Sequence, residues 1–299
     1  MMMTQFTAMN STIKLVGLNE EMQQMVEQLF QQFEQTASRF IPGNALAHLN
    51  ESPLHVPIHL EETLADLLQH ALKLSRRVEY HVNPFIGEAM KSIGYTNSFY
   101  EGYNPSKPNR RIVKFLTEPI EQISRQWIVK KENFTFDFGG FGKGYIVDKA
   151  KQLLLQEGQA ETIINAGGDM AVIGRMKSGI EHPGLNGKDI ARFYIKDCAL
   201  ATSSKKYRKW ALDGESVHHI INGRTGKVAR NGVLQASVIA DTAMEAETIS
   251  KVFCILPFEE AKRLVRKTFP NIAYFIYFDN HTFAVGGNER MYEELEVAK

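Results

Sequence analysis

Phe136-Asp137-Phe138-Gly139-Gly140-Phe141-Gly142-Lys143-Gly144-Tyr145-Ile146-Val147-Asp148 sets four glycines and a lysine between a strand-like run and a helix-like one. A backbone this free of side chains can wrap an anion with its N–H groups, and Lys143 adds a compact positive charge beside them. The stretch fits neither common phosphate motif. GxxxxGK[ST] requires a glycine where Asp137 stands and a Ser or Thr where Gly144 stands, and GxGxxG requires a glycine where Tyr145 stands. A glycine-rich strand-to-helix turn that binds nothing is the plain alternative.

Working outward, residues 127–129 and 134–136 flank Lys130-Lys131-Glu132-Asn133, which predicts a hairpin that delivers Asp137 at its end. Downstream, Ile146, Val147, Ala150, Leu153 and Leu154 form a helical stripe closed by Gly158, so the glycines sit at a helix N-terminus. Upstream, a strand is expected over 12–16 and an amphipathic helix over 20–40, carried by Met22, Met25, Val26, Leu29, Phe30 and Phe33. Pro42-Gly43-Asn44 ends it, a second helix covers 60–73, and 80–95 reads as loop and short helix. Asn104-Pro105-Ser106-Lys107-Pro108-Asn109 reads as an exposed polar connection. In the second half, strands are expected over 162–164, 171–173, 191–195, 217–221, 234–240, 272–278 and 282–285, and helices over 243–254 and 259–267. Strands and helices in irregular order argue for α+β over a repeated βαβ unit.

With 299 residues the chain is long enough to bury a full core, as one large domain or two subdomains. Its 43% hydrophobic and 23% charged content are those of a globular protein, and a net charge of +1 exerts no general pull on nucleic acid or an anionic membrane. The two cysteines, Cys198 and Cys254, lie in apolar runs without metal-ligand spacing and read as buried free thiols. The N-terminal residues show no basic n-region or apolar stretch, and no segment has the length of a membrane span, so a cytoplasmic protein without membrane insertion is expected.

Four further segments carry chemistry, each with a bland alternative. Ile164-Asn165-Ala166-Gly167-Gly168-Asp169 joins two strands through a double glycine, and Asp169 either meets a ligand or caps its own turn. Thr202-Ser203-Ser204-Lys205-Lys206-Tyr207-Arg208-Lys209-Trp210 is the one dense basic run: a solvated face, a set of hydroxyls for a phosphate, or a minor nucleic-acid contact. His218-His219 precedes Asn222-Gly223, read as a tight turn; strand neighbours face opposite ways, so one histidine at most meets a given site, and no third ligand completes a zinc set. Asp241 is a candidate N-cap for a helix on which Glu247 and Lys251 share a face, ordinarily as an exposed ion pair.

Taken in order, these segments resemble the ApbE family of FAD:protein FMN transferases. Met9-Asn10-Ser11 is similar to its M-G-T, Ser38-Arg39-Phe40 with Leu49-Asn50 to its S-x-Y/F and following S-E-L-S-x-x-N, and Asp137 to Asp148 to D-x-G-G-I-A-K-G-Y-x-V-D. Ile164 to Asp169 resembles I-N-A-G-G-D, Thr202-Ser203-Ser204 its T-S-G, Ile180 to Pro183 its I-x-x-P, His219 to Gly226 H-I-I-D-P-x-T-G, and Ala246 to Lys251 A-D-A-x-x-T. The resemblance implies one domain over 5–290 with an α+β, T-fold-like architecture of two intertwined subdomains, the flavin nucleotide lying in the cleft between them. It implies transfer of FMN from FAD to a threonine of an acceptor flavoprotein, with AMP released; a non-catalytic FAD-binding or interaction protein is the other reading, and a nucleic-acid binder a third.

The same resemblance implies the site. Lys143 and the N–H groups around Gly139 and Gly140 would cradle the phosphates, Met9 and Phe40 flank the flavin, Ile93, Gly94 and Tyr95 line the site, and His219 face the cofactor. Asp137, Gly168, Asp169, Thr202, Ser203 and Ser204 complete the cofactor-contacting set, with Lys143 and His219 as catalytic side chains; Lys251, which departs from the family's threonine, is a third candidate whose ammonium would stand in the place of a cation. A Mg²⁺ ion is implied at the carbonyl of Gly142 and at the Asp and Thr of A-D-A-x-x-T. This chain has Glu247 and Lys251 at those last two positions, and an ammonium cannot ligate a cation.

Overall fold

The computed structural model describes residues 2–98, 117–212 and 214–298; the polar connection expected at 104–109 lies outside them. Met9 and Asn10, at φ +53° and +54°, turn strand β1 (Met3–Ala8) back onto β2 (Ser11–Val16) with Ala8 opposite Ser11. Two successive positive φ angles are what a two-residue hairpin turn requires. Only the second strand was foreseen. Helix α1 (Glu20–Ala37) buries Val26, Phe30 and Phe33 and stops short of Phe40. Asn44 then starts a helix the sequence did not reveal: its Oδ1 accepts the Ala47 N–H at 2.7 Å and caps α2 (Ala45–Glu51), which buries Leu46 and Leu49.

After β3 (Pro57–His59), α3 (Glu62–Arg77) runs four residues beyond expectation, until Glu79 and Tyr80 both enter the left-handed region. The short helix of 80–95 is α4 (Gly87–Ser92). Strand β5 (Trp127–Lys130) pairs with β3 and with β4 (Ile120–Gln122), and not with 134–136, so the expected hairpin does not form. Residues 134–136 form no strand, and the Asn50 side chain and nearby backbone take the place of a strand partner. Asn50 Oδ1 accepts the Phe136 N–H at 2.6 Å, Asn50 Nδ2 donates to the Phe136 carbonyl, and the Asp137 N–H donates to the Pro84 carbonyl.

Helix α5 (Gly142–Gln156) follows, closed beyond its end by Gly158 at φ +76° as expected. The second half continues with β6 (Thr162–Ala166), β7 (Asp169–Ile173), β8 (Arg175–Glu181), β9 (Asp189–Lys196), β10 (Ala199–Ser204), β11 (Lys209–Leu212), β12 (Glu215–His218), β13 (Ile221–Asn222), β14 (Lys227–Val228) and β15 (Val233–Ala240). Helices α6 (Ala243–Ile255) and α7 (Phe258–Thr268) precede β16 (Ala273–Phe278), β17 (Phe283–Gly287) and β18 (Glu294–Val297). The strand expected over 217–221 is broken at His219 and Ile220. The turn after Asn222 spans Gly223 to Gly226, with Gly226 at φ +65°, and not the two residues Asn222-Gly223. Gly223 is needed for proximity: a Cβ there would stand 2.5 Å from Asn83 Nδ2.

The chain forms two compact units. One takes in Met1–Phe30, Lys143–Tyr207 and Arg230–Lys299 and holds an antiparallel eight-stranded sheet, ordered β1-β2-β6-β7-β10-β15-β16-β17, and the three-stranded sheet β18-β9-β8. Its core includes Val172, Phe193, Ile195, Leu200, Ile239 and Phe275, and α6 packs on β10 and β15. The other unit, Gln31–Gly142 and Arg208–Ala229, carries α2 to α4, the small sheets β3-β5-β4, β11-β12 and β13-β14, and a core around Met90, Tyr95, Trp210 and Ile221.

Candidate functional site

Gly144 brings the first turn of α5 against the first turn of α6: a Cβ at this position would stand 2.4 Å from Met244 Cα and 2.6 Å from the Ala243 carbonyl oxygen. One turn further on, Asp148 uses both carboxylate oxygens on α6, accepting the Ala243 N–H at 2.7 Å and the Met244 N–H at 2.9 Å. The N-cap of α6 is Thr242, whose Oγ1 accepts the Glu245 N–H at 3.2 Å, and not Asp241. Burial raises the Asp148 pKa to about 6, against the pull of its two backbone N–H partners.

With the two helix starts joined in this way, Glu247 reaches back to α5. Its Oε2 accepts the Gly144 N–H at 2.8 Å, and its Oε1 lies 2.9 Å from Lys251 Nζ and 3.8 Å from Lys143 Nζ. Lys143, in the first turn of α5, also pairs with Asp169 at the head of β7. The result is an alternating row, Asp169, Lys143, Glu247, Lys251, with a formal charge of zero. Glu247 and Asp169 are 0% and 1% exposed, and the two lysine side chains keep 17% and 14%. The expected exposed ion pair is therefore a buried one. Burial by itself would raise the Glu247 pKa, but the two ammoniums and the Gly144 N–H outweigh it and hold the carboxyl below its ordinary range. A buried carboxylate persists in a fold only with such partners.

Asp169 does not cap its own turn; Asn165 does, its Oδ1 accepting the Gly168 N–H at 2.9 Å, with Gly167 and Gly168 both at positive φ. Thr202 Oγ1 lies 2.8 Å from Ser237 Oγ, and Ser203 is turned toward α6, 2.7 Å from Ser250 Oγ beside Lys251. Ser204 Oγ accepts the Lys206 N–H. In the basic run, the Lys205 ammonium is committed to Asn231 and the Trp210 ring is buried, its Nε1 donating to the Ile93 carbonyl at 2.9 Å.

The other unit contains the aromatic part of the implied set. Arg39, within the quoted Ser38-Arg39-Phe40, lies between the rings of Phe40 and Tyr95, 4.3 and 4.4 Å from their centres. Its Nη1 donates to the Tyr95 carbonyl at 2.8 Å, and its Nε is 3.0 Å from Asp137 Oδ2, an ion contact without hydrogen-bond alignment. Asp137 Oδ1 accepts the Gly139 N–H at 2.7 Å, and the Phe138 carbonyl accepts from both Phe141 and Gly142. Three N–H groups of the glycine turn, those of Gly139, Phe141 and Gly142, are thus satisfied within the turn. Ile93 and Gly94 close α4, Gly94 at φ +83°. His219 Nδ1 lies 3.3 Å from the Arg208 carbonyl, and His218 is bound by the Ala229 carbonyl and the Ile220 N–H. Because the strand breaks there, the opposite-face argument for this pair does not apply.

The implied divalent cation can be tested against these donors. A hard cation needs several oxygen ligands. Glu247 already spends one oxygen on the Gly144 N–H and the other on Lys251, and Lys251 offers no lone pair. Among the described residues no group of three or more His, Cys, Asp or Glu side chains could hold a metal ion. The donor set does not fit a divalent cation. Sequence reasoning missed Asp148 and Arg39, although both lie within quoted motifs, because their partners are 95 and 56 residues away.

Fold and site define an α+β protein in which paired helix starts gather two lysines over two buried carboxylates. A family model described as the ApbE family matches residues 5–276, and the chain belongs to that family. Among its relatives, the FAD:protein FMN transferase of Treponema pallidum is 26% identical over 282 residues, covering 87% of this chain and 78% of that protein. The protein of the same name from Escherichia coli K12 is 24% identical over 262 residues, covering 83% and 74%. Among solved structures, the ApbE protein of Thermotoga maritima superimposes with a TM-score of 0.84 at 21% identity, covering 98% of this chain and 99% of that one. The flavin transferase ApbE of Vibrio cholerae gives 0.77 at 15%, covering 97% and 98%.

Proposed function

We propose that this protein transfers FMN from FAD to a threonine hydroxyl of an acceptor flavoprotein. The observation that carries the reading is the row Asp169, Lys143, Glu247, Lys251 at two joined helix starts, in a chain of the ApbE family. In the reaction the threonine oxygen bonds to the phosphorus on the FMN side of the pyrophosphate. The bond from that phosphorus to the bridging oxygen breaks, and AMP leaves with the electron pair and takes up the hydroxyl proton. Charge builds on the phosphate oxygens, and fixed cations in a partly dry setting are what stabilises it.

In this reading Lys143 meets the pyrophosphate, exchanging its contact with Asp169 for the substrate, and Gly139, Gly140, Gly168 and Thr202 to Ser204 surround it. Met9 and Phe40 flank the flavin, Phe40 stiffened by the Arg39 stack, while Ile93, Gly94 and Tyr95 support that ring and His219 faces the cofactor. Asp137 orders the glycine turn. The unit of function is the single domain 5–290, acting in the cytoplasm without nucleic acid. No helix among the described residues is long and apolar enough to cross a membrane.

The test is incubation with FAD and a threonine-bearing acceptor, read by mass spectrometry for the added FMN and by chromatography for AMP. Neither product, with FAD bound, refutes transfer. That outcome selects the second reading, a flavin-binding protein without turnover, favoured by the lysine at position 251 where the family pattern has threonine.

A further inference from the structure

We infer that the Lys251 ammonium is the built-in cation of this centre, and that the protein binds the FAD pyrophosphate without a divalent metal ion. The inference rests on the flavin-transfer reading for the identity of the ligand, and on the charge row for everything else. Lys251 lies one helical turn beyond Glu247 on the same face of α6. Its Nζ is 2.9 Å from Glu247 Oε1, the same oxygen that faces Lys143 at 3.8 Å. A metal ion entering here would have to displace an ammonium from a fully buried carboxylate, and would add two charges to a row that already sums to zero.

The position of Lys251 is not a matter of a swinging side chain. The start of α6 is held by Thr242 and by both oxygens of Asp148, Glu247 is pinned by the Gly144 N–H, and Ser250, next to Lys251, is bound to Ser203. The ammonium thus has a fixed anchor and a side chain still 14% exposed, enough for an incoming anion to share it. Lys143, at 17%, is open in the same manner. Two such ammoniums on either side of Glu247 provide the positive charge that a phosphate group requires.

The experiment measures FAD affinity by fluorescence quenching, with EDTA and with millimolar Mg²⁺, for wild type and for Lys251→Gln and Lys251→Arg, alongside calorimetric titration of Mg²⁺ into the wild-type protein. The wild type should bind FAD equally well in both media and give no saturable Mg²⁺ heat. Lys251→Gln should bind FAD about ten- to hundredfold more weakly in EDTA, the loss of one charge-assisted contact, and Lys251→Arg should recover most of it. FAD binding by the wild type that requires Mg²⁺, or a folded Lys251→Gln variant with unchanged affinity, overturns the inference. Thermal midpoints identify folded variants, and the wild-type comparison decides the matter if Lys251→Gln does not fold. AMP release from wild type only with Mg²⁺ would refute the inference and leave the transferase reading standing. Metal-independent FAD binding with no AMP release would do the reverse.

Discussion

Gly144→Ala tests the junction on which the whole centre depends. The new methyl would stand 2.4 Å from Met244 Cα, 2.5 Å from Met244 N and 2.6 Å from the Ala243 carbonyl oxygen, all backbone atoms that cannot swing aside. Carbon contacts relax near ~3.5 Å, so the starts of α5 and α6 must separate by about 1 Å. Overpacking of this kind costs ~1–3 kcal/mol. The same displacement lengthens the 2.8 Å bond from the Gly144 N–H to Glu247, a hydrogen bond to a charged group worth ~1.5–3 kcal/mol. Alanine returns up to ~1 kcal/mol of helix propensity. The net is a loss of about 2–5 kcal/mol, a large part of the ~5–15 kcal/mol that keeps a typical domain folded. Urea unfolding followed by circular dichroism should show the unfolding free energy falling by that amount, with FAD affinity falling in step because Glu247 and Lys251 lose their anchor. A Gly144→Ala protein as stable as wild type would mean that helix propensity decides this position, and would refute the account of the joined helix starts.

Arg39→Lys should cost ~1–3 kcal/mol, because a lysine cannot both stack between Phe40 and Tyr95 and reach Asp137 and the Tyr95 carbonyl. Trp210, whose ring is 5.5 Å from that of Tyr95, reports it as a shifted emission and a lower urea midpoint; an unchanged midpoint counts against the clamp. Asp148 is raised by burial from its ordinary 3.8 to about 6, so its contribution to stability is complete below 3.8 and is lost as pH rises through about 6. Asp148→Asn should flatten the stability profile across that window relative to wild type. It should also lower stability at neutral pH by ~1 kcal/mol, since one amide oxygen cannot serve two N–H groups; parallel profiles in urea titrations would refute this. Cys198 and Cys254 are both buried, with thiols pushed up to about 11 and about 12, so Ellman's reagent at about pH 8 should find neither in the native protein and both after unfolding. A rapidly reacting thiol would contradict that burial.

Much of the architecture was legible because it rests on local pattern. The apolar stripes of α1, α3, α5, α6 and α7 and the runs that become β6, β7, β9, β15, β16 and β17 are written at helical or strand spacing, and the boundaries differ by a few residues. The elements that escaped had weak local signals. Strand β8 (Arg175–Glu181) alternates Met176, Ser178 and Ile180 inward among charged neighbours, and α2 is a short helix whose mark is the Asn44 cap. The false hairpin at 134–136 failed for a related reason. Its aromatic residues have strand propensity, but the Asn50 amide, 86 residues away, takes the hydrogen bonds a partner strand would have made.

By itself, the sequence determined the helix start at the glycines, the candidate set around Lys143, and the departure at Glu247 and Lys251. Those follow from residue identity and short-range spacing, which a chain displays without folding. Only the tertiary structure decided that Glu247 is wholly buried and gripped by Gly144, that Lys143 faces Asp169, and that Asp148 ties α5 to α6. Each of those contacts joins residues 26 to 103 positions apart, and the energy of a charge depends on its partners and on the water excluded around it, neither of which is encoded in local spacing.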